Sequence, residues 1–388
     1  MRAAVYRGKG DLRVEEIPVP EVGGGEMLVR VDACGVCGTD IKKILKGFLP
    51  GPRVFGHEIC GTVARTGAGV TRFHEGDRVV VHHHVPCGRC FYCSIQAYAQ
   101  CEVYKRNGTT AGFEAAGGGF AEYVKAMDWI VERGAIPVPD GVLPEEAAFV
   151  EPVNTCLKAV RKAGVTKGQT VLVVGQGPIG LLLMQLCRWA GADVLVSDTF
   201  PDRLEMGRRL GASVALDAGV VDVPREVRAL TGGRGADLAV LAAFGQAPFA
   251  QAVDATRPGG RIIVFAATSP GETVQIDLGA LSAAEKEILT SYSASVDVQD
   301  LAAQLVFARE IRVRELVTHR FSLDDAPRAV EVAAHPGPGV LKVMLQPPTH
   351  DGGRQGQPPT HDGGRQGQPP THDGGRQRQD GRTDGTAR

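Results

Sequence analysis

Residues 170–191 read TVLVVGQGPIGLLLMQLCRWAG. An apolar run rich in β-branched residues comes first, three glycines follow, and a longer apolar run of helical character closes the stretch. A strand, a glycine-rich turn and a helix in this order form the phosphate-binding unit of a dinucleotide fold, because the glycines allow the turn, the approach of the pyrophosphate and close helix–strand packing. The phosphates then lie at the helix N-terminus. We predict dinucleotide contacts from Gly175, Gly177, Pro178, Ile179 and Gly180.

The segments that follow continue as strands and helices in alternation. The next strand, DVLVSD, ends in Asp198, whose carboxylate can bond the ribose hydroxyls and repel a 2'-phosphate. Arg203 would instead favour such a phosphate, so NADP stays an alternative to the NAD that we predict. Later apolar strands, DLAVLAA and GRIIVFAA, extend the pattern. Alternating strands and helices predict an α/β fold with a doubly wound parallel sheet of the Rossmann type.

The chain before this part has a different pattern. Its short β-branched runs, such as MLVRVDACGV and EICGTVARTG, are joined by glycine- and proline-rich turns and indicate a mainly-β domain. A chain of 388 residues exceeds what one hydrophobic core usually supports. We therefore predict a mainly-β domain at 1–152, a dinucleotide-binding domain at 153–290 and a return to the first domain at 291–345.

The last part of the chain is a repeat. QPPTHDGGRQ begins at Gln346, Gln357 and Gln368, a period of eleven residues. Such a period can indicate a right-handed coiled coil, but two prolines and two adjacent glycines in each copy exclude a helix. With almost no apolar side chains, residues 346–388 are predicted to form a disordered tail. Its spaced histidines are candidates for binding stray metal.

Charge and hydropathy limit the partners. The formal net charge is -1, so no overall field draws the chain to nucleic acid or to an anionic membrane surface. No apolar stretch is long enough to cross a bilayer, and the N-terminal residues MRAAVYRGKGDLRVEE lack the pattern of a signal peptide. We expect a cytoplasmic protein with a small-molecule ligand.

The strongest local motif is a set of cysteines within residues 84–104. Cys87, Cys90, Cys93 and Cys101 give C-x2-C-x2-C-x7-C, whose two-residue gaps let thiolates converge on one ion. An iron–sulfur cluster and a pair of disulfides are the alternatives, but the ferredoxin run has a nearer fourth cysteine followed by proline, and disulfides do not suit this compartment. Four thiolates leave no open position, so we predict a structural zinc site that does no chemistry.

Three scattered segments suggest a second, open metal site. They are CGVCGTD with Cys37, GHE with His57, and FVEP with Glu151. A thiolate, an imidazole and a carboxylate leave a fourth position for water or substrate, as a catalytic zinc requires. Taken singly, Cys37 would more often be a small core residue and His57 a surface histidine or one with its hydrogen bonds satisfied. Glu151 would more often be a carboxylate at the start of a helix.

The order of CGVCGTD, GHE, the four-cysteine lobe, EP and the glycine motif resembles the zinc-dependent medium-chain alcohol dehydrogenases, especially their sorbitol and threonine dehydrogenase branch. The resemblance covers residues 1 to about 345. It implies a GroES-like catalytic domain beside the Rossmann domain, two zinc ions per chain, NAD, and a homo-oligomer that is a dimer or a tetramer.

The resemblance also assigns roles position by position. Cys37 rather than Cys34 corresponds to the zinc thiolate and His57 to the imidazole ligand. Glu151 corresponds to a glutamate that ligates zinc directly or through water. Glu58 corresponds to a carboxylate outside the first ligands that can exchange onto the metal. Asp40 is expected to hold the free ring nitrogen of His57.

The remaining catalytic assignments concern the proton. Thr39 corresponds to the hydroxyl that accepts the substrate proton. Many relatives have histidine where this chain has Lys42, and a lysine can act as the last proton relay only if its pKa is depressed. A phosphate contact and a solvated side chain are the other interpretations.

His82, His83 and His84 precede the cysteine lobe at an apparent strand end, where alternation would put His83 on the opposite face. We expect a solvated strand end, with His84 as a candidate for the lining of the substrate cleft.

These features predict an oxidoreductase that oxidises a secondary alcohol or a polyol. Substrate oxygen would take the open zinc position, Thr39 would accept its proton, and hydride would pass to the nicotinamide. An L-threonine 3-dehydrogenase shares nearly all of these motifs. A zinc-stabilised NAD-binding sensor without turnover is the alternative from another class, and the altered relay at Lys42 is its support.

Overall fold

The computed structural model describes residues 1–104, 108–113, 117–266 and 271–348. The strands of this part, in chain order, are β1 Arg2–Gly8, β2 Asp11–Glu16, β3 Met27–Gly35, β4 Arg53–Val54, β5 Glu58–Thr66, β6 Arg78–Val81, β7 Thr109–Thr110, β8 Tyr123–Ala126, β9 Ala135–Pro137, β10 Thr170–Val174, β11 Asp193–Asp198, β12 Val214–Asp217, β13 Ala236–Leu241, β14 Thr256–Val264, β15 Glu287–Thr290, β16 Val317–Ser322 and β17 Lys342–Gln346.

Helices connect and cover these strands. In the same part of the chain the α-helices are α1 Gly38–Lys46, α2 Phe91–Ser94, α3 Asp128–Arg133, α4 Pro144–Ala147, α5 Val150–Lys162, α6 Pro178–Trp189, α7 Pro201–Leu210, α8 Val223–Leu230, α9 Gln246–Ala255, α10 Leu278–Ala283, α11 Gln299–Phe307 and α12 Ala326–Ala334. No described helix is both long and apolar enough to cross a membrane.

The middle of the chain forms one parallel sheet. Within the described residues its strand order is β12-β11-β10-β13-β14-β15, and each neighbouring pair is parallel. The order reverses between β10 and β13, and in such sheets ligands bind beyond the carboxyl ends of the strands at this point. The predicted Rossmann-type doubly wound sheet is therefore confirmed.

The N-terminal part is mainly β. Its large sheet follows the order β16-β17-β3-β5-β6-β9, with β7 and β8 attached beside β3, and a smaller sheet pairs β2, β1 and β4. The last two strands come from the end of the described chain, and β17 lies antiparallel to β3 with Met344 opposite Gly35. A residue near position 342 thus lies beside residues near position 35.

The predicted repeat tail falls almost entirely outside the described residues. Its first residue, Gln346, is the last residue of β17, so the ordered strand extends one residue beyond the predicted boundary. Residues 349–388 are not described, and the prediction of disorder there stays a prediction.

Candidate metal and dinucleotide sites

The four cysteines of residues 84–104 meet in space. Their Sγ atoms all lie within 4.8 Å of one another. Cys93 lies 3.9 Å from Cys87 and 3.5 Å from Cys90, sulfur to sulfur. Tetrahedral zinc with bonds of about 2.3 Å requires sulfur separations of about 3.8 Å. All nine cysteines are free thiols, so the lobe contains no disulfide and its donor geometry fits a four-thiolate ion.

A second group of donors gathers Cys37, His57 and Glu58, again within 4.8 Å of one another. Cys37 is the residue that precedes α1, and Glu58 opens β5 directly after His57. Glu58 is 2 % exposed, so this carboxylate is removed from water. A thiol, an imidazole and a carboxylate that converge in a buried place fit a zinc ion with one position left open.

The imidazole of this group has a fixed partner. His57 Nδ1 lies 3.1 Å from Asp40 Oδ1, as the sequence led us to expect. Asp40 is buried in the first turn of α1, three residues after Cys37. A carboxylate on one ring nitrogen leaves the other free to face a metal, which is the common arrangement in zinc proteins.

Glu151 does not join these three donors. It lies in the first turn of α5, where Oε1 is 3.6 Å from His84 Nδ1 and 3.3 Å from the Thr155 hydroxyl. Burial raises the pKa of Glu151 to about 7. The structure thus brings Cys37 and His57 together, but the carboxylate beside both is Glu58, which the sequence had placed outside the first ligands.

Thr39 and Lys42 lie on α1 beyond Cys37, and both are half-buried. Burial lowers the pKa of Lys42, while the charge of Glu272 opposes this shift. A lowered pKa is the condition under which Lys42 could relay a proton. Lys46, one turn further on, pairs with the same Glu272 at 2.9 Å and links α1 to the loop before α10.

Of the three consecutive histidines, His82 and His83 are buried and His84 is half-buried, contrary to the expected solvated strand end. β6 ends at Val81, so strand alternation does not extend to these histidines, and the centroids of their rings lie within 6.4 Å of one another. The ring centroids of His83 and His84 are 3.8 Å apart, and His83 lies 5.4 Å from His57. Burial lowers the pKa of His82 to about 4, and those of the other two fall as well. These side chains are therefore neutral parts of the interior near the second donor group.

The glycine motif has the backbone that dinucleotide binding requires. Gly175 follows β10 with φ +91°, a conformation that favours glycine. Gly177 precedes α6, and Pro178 and Ile179 are its first residues. A Cβ on Gly180 would lie 1.8 Å from the Gly175 carbonyl oxygen, whereas one on Gly177 would meet nothing within 4 Å. Helix and strand are thus in close contact at Gly180, and space remains in front of Gly177.

Asp198 ends β11 beside this turn. Its Oδ2 accepts a hydrogen bond from the Gln176 amide at 2.5 Å, and its Oδ1 accepts from the Thr199 and Phe200 amides at 2.7 and 2.9 Å. Three backbone donors hold the carboxylate in one orientation. The Arg203 guanidinium stacks on the Phe200 ring at 4.4 Å, so both predicted ribose-side residues contact Phe200.

Lys342 is a charged residue at the second donor group that was not predicted from the sequence. It is 6 % exposed, and its ammonium group pairs with Glu58. The only local signal is a lysine inside an otherwise apolar strand, VLKVML, which alternation alone would read as an exposed position.

Comparison with known proteins agrees with this geometry. Residues 23–140 match the Alcohol dehydrogenase GroES-like domain family, and residues 178–308 match the Zinc-binding dehydrogenase family. The sorbitol dehydrogenase of Gallus gallus is 32% identical over 354 residues, covering 89% of this chain and 96% of the relative. An alcohol dehydrogenase of Cupriavidus necator is 31% identical over 367 residues, covering 89% and 99%.

A solved structure shares the whole fold. The zinc-binding dehydrogenase from Sinorhizobium meliloti bound to NADP superposes with a TM-score of 0.80 at 30% identity, covering 89% of this chain and 99% of its own. Two matched domains, full-length relatives and converging donor groups lead to one conclusion: the chain belongs to the zinc-dependent medium-chain alcohol dehydrogenases and is sorbitol dehydrogenase-like.

Proposed function

We propose that this protein is a zinc- and NAD-dependent dehydrogenase that oxidises a secondary alcohol or a polyol. The observation that carries the proposal is the buried group of Cys37, His57 and Glu58, whose donor atoms lie within 4.8 Å of one another in a chain that also has an open dinucleotide turn. A zinc ion held there supplies a Lewis acid that lowers the pKa of a substrate hydroxyl.

Each side chain of the site then has a task. Asp40 keeps His57 in the tautomer that binds metal. Thr39 accepts the hydroxyl proton, and Lys42, further along the same helix, is assigned to pass it to solvent. Glu151 lies against His84 and is assigned a place beside the ligands rather than among them. A dinucleotide bound at the glycine turn would supply the acceptor for the hydride of the substrate carbon.

The dinucleotide site favours NAD. The residues from Gly175 to Gly180 form its pyrophosphate contacts, and Asp198, held by three backbone amides, bonds the ribose hydroxyls. A fixed carboxylate repels a 2'-phosphate, although the Sinorhizobium relative is bound to NADP. Arg203 stacks on Phe200 and borders the ribose. The lobe of Cys87, Cys90, Cys93 and Cys101 would hold a second, structural zinc ion, since its four sulfur atoms lie within 4.8 Å of one another.

The organisation of the chain is part of the proposal. It consists of a GroES-like domain at 1–152, a Rossmann domain at 153–290 and a return to the GroES-like domain at 291–345.

The outer edge of β15 has no strand partner among the described residues, and Tyr292 beside it is 60% exposed. A second copy that pairs at this edge would form a dimer. Nine free thiols suit a reducing compartment, which supports a cytoplasmic location.

A substrate panel tests the function. Sorbitol, simple secondary alcohols and L-threonine are assayed with NAD and with NADP on protein shown to carry two zinc ions per chain. We expect the highest kcat/KM with a polyol or a secondary alcohol and NAD. A clear preference for threonine would identify an L-threonine 3-dehydrogenase instead. No turnover of any substrate at full zinc occupancy would favour the non-catalytic sensor.

A further inference from the structure

Lys342 is a buried cation in the second donor group. It opens β17 and is 6 % exposed. Its ammonium group pairs with Glu58 Oε2 and donates a hydrogen bond to the Val36 carbonyl at 3.2 Å. It also lies 5.9 Å from the centre of the Phe149 ring. Burying a lysine and a glutamate costs several kcal/mol per ion, and a buried pair is weak evidence for stability by itself. The pair therefore calls for another explanation.

Gly35 leaves room for the Glu58–Lys342 pair. Gly35 is the last residue of β3, opposite Glu58 of β5 on one side and opposite Met344 of β17 on the other. A Cβ at Gly35 would lie 1.8 Å from Glu58 Oε2 and 2.8 Å from Lys342 Cε. The two charged side chains thus meet over Gly35, and three strands fix their positions.

The charges around Glu58 show what the lysine does there. Asp40, Glu58 and Glu151 are all buried carboxyl groups, and Cys37 adds a thiol that becomes negative when it binds a metal. Within the described part of the chain, Lys342 is the lysine that pairs with Glu58. A carboxylate has two oxygens, so the lysine can hold one while the other is left for an ion.

We propose that Lys342 is a positioning residue that holds Glu58 within reach of Cys37 and His57 and thereby sets the zinc affinity of this site. The inference rests on the proposed function, because it takes these three donors as the catalytic zinc site. Without the lysine, the buried Glu58 side chain loses the partner that holds one of its oxygens over Gly35, and the carboxylate is free to turn away from Cys37 and His57.

The test measures zinc binding, apart from turnover. Wild type and Lys342→Met are depleted of zinc and titrated against a chelator of known affinity, and cobalt is substituted to record the visible spectrum of the site. We expect Lys342→Met to lose about 10–100-fold in affinity at one of two sites, the range for groups that orient metal ligands. Its cobalt spectrum should change, and Lys342→Arg should restore part of both. Lys125→Met is the matched control. Lys125 also pairs with a glutamate, Glu26, at 3.1 Å, but this pair is not part of the metal site.

Coupling to Glu58 separates positioning from a general structural role. In a Glu58→Gln background, removal of the lysine charge should cost little further zinc affinity, because the group that it positions is gone. If Lys342→Met does not fold, Lys342→Gln with Glu58→Gln leaves no unpaired charge and allows the same comparison with Glu58→Gln alone. Wild-type affinity and spectrum in Lys342→Met, or additive losses in the double variant, would overturn the inference. Two bound zinc ions without turnover would contradict the proposed function, but the comparison of zinc affinities would remain valid.

Discussion

His57 Nδ1 lies 3.1 Å from Asp40 Oδ1, and this contact connects the first turn of α1 to the chain between β4 and β5. The aspartate carboxylate is buried, so water does not weaken its bond to the ring. It is the contact that orients the imidazole of the second donor group.

Replacement of Asp40 should weaken that group. Asp40→Asn keeps the shape but removes the charge, and we expect about tenfold weaker zinc binding at one site, measured by chelator competition. Asp77→Asn is the control, because Asp77 lies near the exposed His74 at 3.8 Å on the surface. Equal zinc affinities in Asp40→Asn and wild type would contradict the orienting role.

The two cysteine sites should separate by mutation. Cys37→Ser should remove one zinc ion and abolish turnover while the fold persists. Cys90→Ser should remove the other zinc ion and mainly lower Tm, because the lobe loses the ion that holds it. Metal content by elemental analysis and thermal unfolding distinguish the two. Loss of both ions in either variant would show that the sites are not independent.

Two glycines of the same turn should respond in opposite ways. Gly180→Ala places a Cβ 1.8 Å from the Gly175 carbonyl oxygen, and the overpacking should cost about 1–3 kcal/mol of unfolding free energy, more than alanine gains by helix propensity. Gly177→Ala meets no protein atom within 4 Å, so its stability should stay close to wild type. It should nevertheless bind NAD about tenfold or more weakly, since the methyl group points where the pyrophosphate approaches. Denaturant midpoints and dinucleotide titrations report the two effects.

Dinucleotide choice should depend on Asp198. Asp198→Gly removes the carboxylate that repels a 2'-phosphate, and we expect the kcat/KM ratio of NADP to NAD to rise about tenfold or more, which corresponds to about 1.4 kcal/mol. Some stability should be lost as well, because the amides of Gln176, Thr199 and Phe200 lose their acceptor. An unchanged ratio would show that selection lies elsewhere.

Zinc removal should expose one reactive thiol. In the zinc-free lobe, the backbone amide of Glu102 is the main cause that lowers the pKa of Cys90 to about 6, so at pH 7 this residue is mostly thiolate. Burial raises the pKa of Cys187 and of Cys60 to about 12, so both stay protonated. After chelation, iodoacetamide at pH 7 should modify Cys90 first and leave the other two intact until unfolding, as peptide mass spectrometry would show. Modification of Cys187 before Cys90 would contradict this order.

The features that the sequence predicted are local ones. The glycine motif and the cysteine lobe each lie within a stretch of chain short enough that residue spacing limits how the side chains can meet. The lobe needs only residues 87–101 to bring its thiols together, and the turn at Gly175 to Gly180 needs only the strand before it and the helix after it. Asp40 was also identified correctly as the partner of His57, although by resemblance rather than by spacing.

The tertiary structure decided which carboxylate stands beside Cys37 and His57. Glu58 lies with them because β3, β5 and β17 come into register over Gly35, which has no side chain to exclude the Glu58–Lys342 pair. The role of Glu151 as a ligand, directly or through water, stays a prediction. The burial of His82 and His83 was not predicted either, because β6 ends at Val81 and strand alternation stops there. Local spacing carries no information about contacts between residues that lie some 300 positions apart. Here the sheet register brings Met344 opposite Gly35, and with it Lys342 close to Gly35. The sequence determined which residue types can bind a metal, and the tertiary structure decided which of them lie together.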